Sequence, residues 1–516
     1  MTLSTPSTLT ELIARAGGAD AHTKLEFVSS DSMRTVTVGE LHARARRVAG
    51  GLRKLGVEPG SRVSVQLTNR LESVVVQFAV LMADAVLVPI VPVFGAREVT
   101  QVFQDARPSV HITQRRWNKF DYLSVAEAVP EEARPPRIVM LDDTPEGYVS
   151  WARLEQAEPL ADEPTHDENA CCLVIYTSGS TGVPKGVQHS RRSLLAEACD
   201  YDYRAHNDSA VDVYLQGSAA GHIGGDMFPL RAVLYHMRTL VMDGWNAELA
   251  CRLVESEKVT AMVATPFHAV GMLELAEAGK YDLSSIRMMM CGGAPVSPSL
   301  VRRADASGVG LVRAYGMSEH PTVALGRWQD PLDVRADHDG YLTGGNRVRL
   351  VDENGAEVPR GALGEIQLQG PEQFMGYTNV PDDQVFTGDG WFPTGDIGVL
   401  DERGLLTVVD RKKNIIIRGG ENLSAAEIEG VVATHPSVAE VAVVGIPDER
   451  YGERACAFVV LKPDATLDLE QLAAHFLASG VAKQKIPERL EFIEALPRTG
   501  TGKIRKHELT RMRTQA

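Results

Sequence analysis

The amino-acid sequence predicts an α/β protein whose large N-terminal part is followed by a smaller α+β part. Helical and strand periodicities alternate over residues 1–165 and again over 170–330, which is typical of a parallel sheet covered by helices. From residue 347 the pattern changes to short strands with tight turns. After a charged break at Asp410–Asn414, strand-like and helix-like segments again follow one another. We therefore divide the chain into domains 1–412 and 413–516.

Elements of the N-terminal part follow from apolar spacing, because helices and buried strands have different periods. The segment Cys171–Tyr176 is apolar on both faces, as central parallel strands are. Residues 130–164 are rich in Pro, Glu and Asp, so we expect them to run over the surface. The other predicted elements are helices at Leu41–Leu55 and Leu71–Met82 and strands at Arg62–Leu67 and Ala85–Ile90.

Turn and capping signals mark the second half of the chain. The dipeptide Asn354-Gly355 is typical of a hairpin turn, and Asp401–Gly404 predicts another turn. Residues Ser424–Glu427 have the spacing of a capping box that opens a helix. The charged run Asp410–Asn414 predicts a hinge between two bodies. Further predicted strands are Val348–Val351, Glu365–Leu368, Leu405–Val409, Asn414–Arg418, Val438–Gly445 and Ala455–Leu461, and a further predicted helix is Leu469–Ala478.

Charge and composition exclude several classes of partner. The 516 residues include 53 Lys and Arg against 68 Asp and Glu, and a net charge of -15 repels nucleic acid. Six scattered cysteines without a C-x-x-C pair predict neither disulfides nor zinc and fit a reducing cytoplasm. Residues 1–20 lack a signal-peptide pattern. The apolar stretch Val74–Phe94 is interrupted by polar residues and prolines, so we expect a buried helix and strand and no integral membrane association.

The strongest chemical signal is the segment Tyr176–Gly186, which follows a buried strand. Its ten positions after Tyr176 hold four hydroxyl residues, three glycines and one lysine. Glycines let backbone N–H groups approach an anion closely, while hydroxyls and a lysine add donors and charge. No Gly-Lys-Ser/Thr follows, so this is not a Walker loop. The predicted phosphate-binding residues are Thr177, Ser178, Gly179, Ser180, Thr181, Gly182 and Lys185.

Three other segments have the residue types of a nucleotide site, although each alone also fits an ordinary turn. Ala314–Glu319 combines an aromatic ring, a hydroxyl and a carboxylate that could hold Mg²⁺ beside phosphates. Cys291–Pro295 consists mainly of small residues, against which a flat group can lie. Trp391–Asp396 ends in a carboxylate that can accept hydrogen bonds from ribose hydroxyls.

Six segments in this order closely resemble the motifs of the adenylate-forming superfamily, which includes acyl-CoA synthetases, luciferases and peptide-synthetase adenylation domains. The resemblance covers nearly the full chain. It implies two doubly wound α/β subdomains and a small β-barrel region, followed by a small mobile α+β C-terminal domain. The six segments are Tyr176–Gly186, Cys291–Pro295, Ala314–Glu319, Trp391–Asp396, Asp410–Gly420 and Pro497–Ile504.

The resemblance implies that ATP binds at these motifs, with its β and γ phosphates on the phosphate loop. Tyr315 would lie beside the adenine, Glu319 would bind Mg²⁺, and Asp396 and Arg411 would contact the ribose. Ser318 replaces the family's usual threonine and keeps the hydroxyl. The remaining implied nucleotide residues are Gly293, Ala294, Pro295, Ala314, Gly316, Met317 and Lys503.

The C-terminal motifs imply two tasks for the mobile domain. Lys503 would reach the acyl carboxylate and the α-phosphate, which makes it a catalytic residue together with Glu319 and Thr177. Lys413 would be the hinge pivot. The glycines of the pantetheine tunnel for CoA would be Gly419 and Gly420.

A pocket for the acyl group is implied about 32 residues after the phosphate loop, at His222 and Ile223. The family's usual Pro-Phe-His or Pro-Leu-His form is absent there. Gly293 and Met317 complete the predicted pocket, and His268 is a second candidate. Their small and apolar neighbours favour an apolar acid of medium-chain, alicyclic or aromatic type.

The resemblance therefore implies an ATP-dependent carboxylate–CoA ligase that uses ATP, Mg²⁺, CoA and a small carboxylic acid. One alternative is an acyl-AMP ligase that loads the phosphopantetheine arm of a carrier protein. Another is a non-catalytic nucleotide-binding regulator, against which the presence of both Lys503 and Glu319 argues. A luciferase-type oxidation has less support. A homo-oligomer is compatible with the sequence, which does not determine the oligomeric state.

Overall fold

The computed structural model describes most of the chain, and every structural statement below concerns the described residues. Within them, strands form two large sheets, a smaller third sheet and a two-stranded ribbon. The described ranges are 5–18, 21–29, 32–161, 166–177, 184–199, 212–418, 421–448, 451–479, 483–498 and 504–514.

The part of the chain before the phosphate loop alternates strands and helices. Its strands are β1 Lys24–Val28, β2 Met33–Thr37, β3 Arg62–Gln66, β4 Val86–Pro89, β5 Val110–Thr113, β6 Arg116–Trp117, β7 Phe120–Asp121, β8 Ile138–Met140, β9 Val149–Ser150 and β10 Cys171–Thr177. Its helices are α1 Leu9–Arg15, α2 Val38–Lys54, α3 Leu71–Met82, α4 Ala96–Ala106, α5 Tyr122–Ala128 and α6 Trp151–Glu155.

The middle of the chain continues the alternation and then becomes mostly β. Its strands are β11 Lys185–Ser190, β12 Val213–Gln216, β13 Arg238–Met242, β14 Ala261–Ala264, β15 Met288–Cys291, β16 Leu311–Met317, β17 His320–Leu325, β18 Gly340–Leu342, β19 Arg347–Val351, β20 Leu363–Gln369, β21 Gly376–Tyr377, β22 Phe392–Leu400 and β23 Leu405–Arg411. Its helices are α7 Arg191–Ala198, α8 Ile223–Asp226, α9 Phe228–Tyr235, α10 Ala247–Glu257, α11 Pro266–Glu277, α12 Pro298–Ala306 and α13 Leu332–Asp337.

The C-terminal part forms the third sheet, with its own apolar core around Ile416, Ile428 and Phe476. Its strand order is β25-β24-β27-β26, and β28 pairs with β27. The strands are β24 Ile415–Arg418, β25 Glu421–Ser424, β26 Val438–Asp448, β27 Gly452–Leu461 and β28 Arg489–Phe492. The helices are α14 Ala425–Ala433, α15 Leu469–Ala478 and α16 Lys506–Thr514.

Both large sheets are doubly wound, as predicted. The first sheet has the described order β21-β11-β10-β4-β3-β5-β8-β9 and is parallel from β10 to β9. The second sheet is parallel from β1 through β13, β12, β14 and β15 to β16. The largest core joins α1, α2, α3 and α9 to strands of both sheets. Helices α4 and α5 cover the other face of the first sheet, and α10, α11 and α12 cover that of the second.

The short strands after β16 extend the second sheet in antiparallel fashion, in the order β16-β17-β18-β23-β22-β20-β19. They curve strongly. Tyr315 on β16 and Asp396 on β22 are four strand spacings apart, about 19 Å in a flat sheet, yet their side chains are hydrogen-bonded. The curve encloses an apolar core that includes Val323, Ile366 and Leu406. The described pairings do not join the two ends of this series, so closure into a barrel stays a prediction.

The helices Leu71–Met82 and Leu469–Ala478 have their predicted bounds, and two local predictions are wrong. Residues 130–164 do not simply run over the surface, because β8 pairs with β5 and Met140 is fully buried. The capping box at Ser424 is half formed: Ser424 Oγ accepts from the backbone N–H of Glu427 at 3.1 Å. The Glu427 carboxylate instead pairs with Lys485.

The apolar stretch around α3 and β4 is a buried helix followed by a buried strand, as predicted. No helix in the described residues combines the length and apolar character that a membrane span requires. All six cysteines are free thiols. The domain boundary between residues 412 and 413 stays a prediction, although the third sheet begins nearby, at Ile415.

Candidate active site

The phosphate loop connects two antiparallel neighbours in the first sheet, β10 and β11. Thr177 is the last residue of β10 and Lys185 is the first of β11, and the two are register partners. The Lys185 Nζ lies 4.9 Å from the centroid of the Tyr377 ring. Ser178, Gly179, Ser180, Thr181 and Gly182 lie outside the described residues. The ends of the loop are therefore close together, at the carboxyl end of a parallel strand, where α/β sheets bind ligands.

Glu319 lies in the tight turn between β16 and β17, in which Met317 and His320 are register partners. The turn is held from two sides: the carbonyl of Ser318 is 2.6 Å from Nε2 of the buried His189, and the carbonyl of Glu319 accepts from the backbone N–H of Phe374 at 3.0 Å. The carboxylate of Glu319 is thereby presented on a fixed backbone.

The Glu319 side chain is held by a residue of β21. The Tyr377 hydroxyl donates to Oε1 of Glu319 at 2.6 Å. Burial and the adjacent Glu319 charge raise the pKa of Tyr377, so this hydroxyl stays protonated. The same tyrosine contacts Lys185 through its ring, so Tyr377 connects the predicted phosphate and metal residues.

Tyr315, Asp396 and Arg411 form one cluster. The Tyr315 hydroxyl donates to Asp396 Oδ2 at 2.7 Å, and Arg411 Nε lies 3.1 Å from Asp396 Oδ1. Burial raises the pKa of Asp396, and the Arg411 guanidinium partly opposes this shift. Asp396 is almost fully buried while the Arg411 side chain is 55% exposed. The cluster thus presents a carboxylate and a cation at the edge of an aromatic ring.

Gly292 and Gly316 bring backbone segments together near Tyr315. A Cβ on Gly316 would lie 1.9 Å from the Pro321 carbonyl oxygen, and one on Gly292 would lie 2.6 Å from that of Ala314. Gly293 has φ +75° and is exposed, as are Ala294 and Pro295. The fold itself therefore requires glycine at Gly292 and Gly316, whereas the exposed residues 293–295 have space around them.

The predicted acyl-pocket residues lie on separate elements, and their grouping into one pocket stays a prediction. His222 is the exposed N-cap residue of α8, Ile223 begins that helix, and Met317 ends β16. His268, the second pocket candidate, caps the start of α11, since its Nδ1 accepts from the backbone N–H of Thr265 at 3.2 Å. Its ring also packs on Trp245, and burial lowers the pKa of His268 to about 4.

The predicted hinge segment contacts both the second sheet and the C-terminal part. Lys412 pairs with Glu365 at 2.9 Å. Asp410 accepts from Ser424 Oγ at 3.0 Å and from the backbone N–H of Ala426 at 2.9 Å, at the start of α14. Lys413 is exposed in a single turn of 3₁₀-helix, and desolvation and Arg411 lower its pKa. Gly419, Gly420 and Lys503 lie outside the described residues.

Sequence reasoning missed two residues that shape this site. Tyr377 had a weak signal, an aromatic residue after a glycine in a short strand. His189 is fully buried, with Nδ1 3.2 Å from Ser193 Oγ, and burial lowers its pKa to about 4, so it is neutral at pH 7. No local pattern in the sequence distinguishes it from an ordinary core histidine.

Comparison with known proteins decides the family. A family model described as AMP-binding enzyme matches residues 14–378, which is more than half of the chain. The chain belongs to the AMP-binding enzyme family. The model of the AMP-binding enzyme C-terminal domain matches residues 427–503. Membership of the adenylate-forming superfamily, inferred from the six motifs, is thus confirmed.

Relatives of this AMP-binding enzyme include ligases with different thiol partners. It is 32% identical over 482 residues to the medium-chain fatty-acid–CoA ligase of Escherichia coli, covering 91% of this chain and 84% of that protein. It is 33% identical over 490 residues to a fatty acid–[acyl-carrier-protein] ligase of Streptomyces coeruleorubidus, covering 92% and 91%. The ATP-bound structure of MatB from Rhodopseudomonas palustris superposes with a TM-score of 0.83 at 26% identity, covering 98% and 99%.

Proposed function

We propose that this AMP-binding enzyme is an ATP-dependent carboxylate–CoA ligase that acts through an acyl adenylate. The observation that carries the proposal is a pair of side-chain clusters, one on the second sheet and one that joins the first sheet to the second. Tyr315 and Arg411 both bind Asp396, and Tyr377 joins Glu319 to Lys185. These groups suit, respectively, a nucleoside and a chain of phosphates.

In the first half-reaction, a carboxylate oxygen of the acid attacks the α-phosphorus of ATP. The bond from that phosphorus to the bridging oxygen breaks, and pyrophosphate leaves with the electron pair. Lys185 and the hydroxyls of the phosphate loop hold the leaving pyrophosphate, and Lys503 offsets charge at the α-phosphate. Preorganised cations have their largest effect where charge develops.

Mg²⁺ fits this site as a partner of the nucleotide. The described residues contain no group of three or more His, Cys, Asp or Glu side chains that could hold a metal by themselves. Magnesium in nucleotide sites is usually held by one or two carboxylates together with phosphate oxygens. Glu319 supplies one carboxylate, oriented by Tyr377. The ion would neutralise phosphate charge when bound.

In the second half-reaction, the C-terminal domain turns about Lys413, which withdraws Lys503 and admits the pantetheine arm past Gly420. The thiol sulfur attacks the acyl carbonyl carbon, the bond to the adenylate oxygen breaks, AMP leaves and the thiol gives up its proton. No protein nucleophile is needed. Burial raises the pKa of Cys291, the cysteine next to the site, to about 12, which argues against a thiolate there.

The acid we propose is apolar, of medium-chain, alicyclic or aromatic type, bound near His222, Ile223, Gly293 and Met317. A cytoplasmic location fits the six free thiols. The acceptor is free CoA or a carrier-protein pantetheine arm, and the two relatives above represent one of each. Parallel assays with CoA and with a holo carrier protein decide between them.

The test measures each half-reaction separately, after a carboxylate panel has identified the acid. Lys503→Ala should lose most acyl-AMP formation yet still convert synthetic acyl-AMP and CoA to thioester. Gly420→Leu should do the reverse, because a side chain there would obstruct the tunnel. Lys413→Pro restricts the backbone at the pivot, so it should keep adenylation and lose thioester formation. Equal loss of both half-reactions in Lys503→Ala would refute the mechanism.

A further test concerns the acyl pocket. Gly293 has φ +75°, so a larger residue there would strain the backbone whatever the substrate. Its exposed neighbour Ala294 is the better position. Ala294→Leu should narrow the range of accepted acids in a folded protein, and an unchanged acid profile would remove this segment from the pocket.

A further inference from the structure

One carboxylate at the end of α4 joins this helix to two other segments of the chain, one at Tyr176 and one at 378–379. Asp105 Oδ2 accepts hydrogen bonds from the hydroxyls of Tyr176 and Thr378. Its Oδ1 accepts from the side-chain amide of Asn379. Residue 105 is remote in sequence from all six motifs, and no pattern in the sequence marks it.

The three contacts surround the two ends of the phosphate loop. Tyr176 is the residue immediately before Thr177, where the described chain enters the loop. On the other side, the backbone N–H of Thr378 donates to the carbonyl of Gly186 at 2.8 Å. A Cβ on Gly186 would lie 2.6 Å from Thr378 Oγ1 and 3.0 Å from the Tyr176 ring. Asp105 therefore fixes the entry and the exit of the loop against each other.

The same contacts reach the groups that would meet the phosphates. Thr378 follows Tyr377, whose ring lies beside Lys185 and whose hydroxyl holds Glu319. A shift of the 376–379 segment would move the predicted phosphate cation and the predicted metal carboxylate together.

Helix stability does not explain a carboxylate at this position. Helix α4 ends at Ala106, with its C-cap Arg107 at φ 48°, so Asp105 lies in the last turn. The negative end of the helix dipole disfavours an acidic side chain there. A further negative charge close to a phosphate-binding loop also opposes the binding of an anion. A role in shaping the loop accounts for a residue that both effects disfavour.

We propose that Asp105 is a positioning residue for the phosphate loop, acting through Tyr176 and Thr378 and not by touching the nucleotide. With these ends fixed, Thr177 and Lys185 are already in place before a nucleotide binds, so less conformational entropy is lost on binding. This inference rests on the proposed role of residues 176–186 in holding the β and γ phosphates of ATP.

The test compares two nucleotides that differ only beyond the α-phosphate. Calorimetry gives the Kd of α,β-methylene-ATP with Mg²⁺ and the Kd of AMP, for the wild type, Asp105→Asn and Asp105→Ala. Losing charge-assisted hydrogen bonds at the loop should weaken the ATP analogue about tenfold or more. AMP lacks the β and γ phosphates, so its Kd should stay within about twofold of the wild-type value. The contacts that AMP shares with the ATP analogue, at the nucleoside and the α-phosphate, should change little. No carboxylic acid has to be known for this experiment.

A matched control separates positioning from general damage. Asp121 is also a partly exposed helix-terminal carboxylate, which accepts from the backbone N–H of Ser124 at 3.1 Å and from Arg116 at 3.2 Å. Asp121→Asn should lower thermal stability and leave the ratio of the two affinities unchanged.

Two results in the Asp105 variants would overturn the inference. Equal weakening of both nucleotides in the Asp105 variants would mean a structural role, and wild-type affinities would mean no role at all. The variant Lys185→Ala distinguishes these results from a failure of the proposed function. If Lys185→Ala also bound the ATP analogue normally, or if the wild type bound neither nucleotide, the assignment of the phosphate loop itself would be wrong.

Discussion

Removal of the Tyr377 hydroxyl tests the candidate metal carboxylate most directly. This hydroxyl donates to Glu319 at 2.6 Å, and the ring of the same tyrosine faces Lys185. Tyr377→Phe keeps the ring and removes only the hydrogen bond. Tyr377→Leu removes both, so the pair of variants separates the two contributions.

The expected size follows from the contacts. A hydrogen bond to a charged group contributes about 1.5–3 kcal/mol, and the partly exposed position of Tyr377 favours the lower value. At about 1.4 kcal/mol per factor of ten, Tyr377→Phe should slow ATP–pyrophosphate exchange about tenfold. Loss of the contact between Lys185 and the ring adds about 0.5–1 kcal/mol, so Tyr377→Leu should be slower by a further factor of about two to five.

The assay is pyrophosphate exchange with the acid that the wild type uses best, titrated with Mg²⁺. A weaker hold on Glu319 should also raise the Mg²⁺ concentration needed for half-maximal exchange. Tyr341→Phe is the control, because the Tyr341 ring likewise carries a cation, with Arg327 4.0 Å from its centroid, but lies outside the candidate site. Wild-type exchange and an unchanged Mg²⁺ dependence in Tyr377→Phe would refute the reasoning.

Three further predictions concern the nucleoside cluster, a glycine and a buried histidine. Asp396→Asn should weaken ATP and AMP alike, by about tenfold, because both contain ribose; an unchanged Kd for AMP in calorimetry would contradict the ribose role. Gly316→Ala should lower the free energy of unfolding by about 1–3 kcal/mol, since its Cβ would lie 1.9 Å from the Pro321 carbonyl oxygen; equal urea midpoints would show that the turn can relax. Burial lowers the pKa of His189 from 6.5 to about 4, so the unfolded chain binds the extra proton and stability falls as the pH drops from 6.5 to 4. His189→Gln should make that fall shallower by about 1.4 kcal/mol per pH unit, and identical slopes in urea unfolding at several pH values would contradict it.

Local elements could be predicted because their signals are local. The helix Leu71–Met82 and the helix Leu469–Ala478 have their predicted bounds, since an apolar run or an amphipathic repeat ends where the helix ends. Composition was a poorer guide at residues 130–164, where three residues of β8 complete a sheet and bury Met140. Whether a strand forms inside such a polar stretch depends on pairing with the neighbouring strand more than on the composition of the stretch itself.

The site was predictable only where a motif marks its residues. The resemblance assigned Tyr315, Asp396 and Arg411 to one nucleotide site, and the structure brings these three side chains into contact. Tyr377 and Asp105 were missed because their contacts are all long-range in sequence. Such a contact depends on how α4, β10 and β21 pack, and one sequence carries no local record of that packing.

The curvature of the antiparallel strands also has an evolutionary consequence. Tyr315 and Asp396 meet only because β16 to β22 bend around an apolar interior. The dimensions of the nucleotide site are therefore set partly by residues such as Ile366 and Leu406, which line that interior. Changes in their volume would alter the bend and so the spacing between the phenol and the carboxylate. Selection on nucleotide affinity should thus act on aliphatic residues that no substrate ever reaches, and homologues should exchange these residues in compensating pairs.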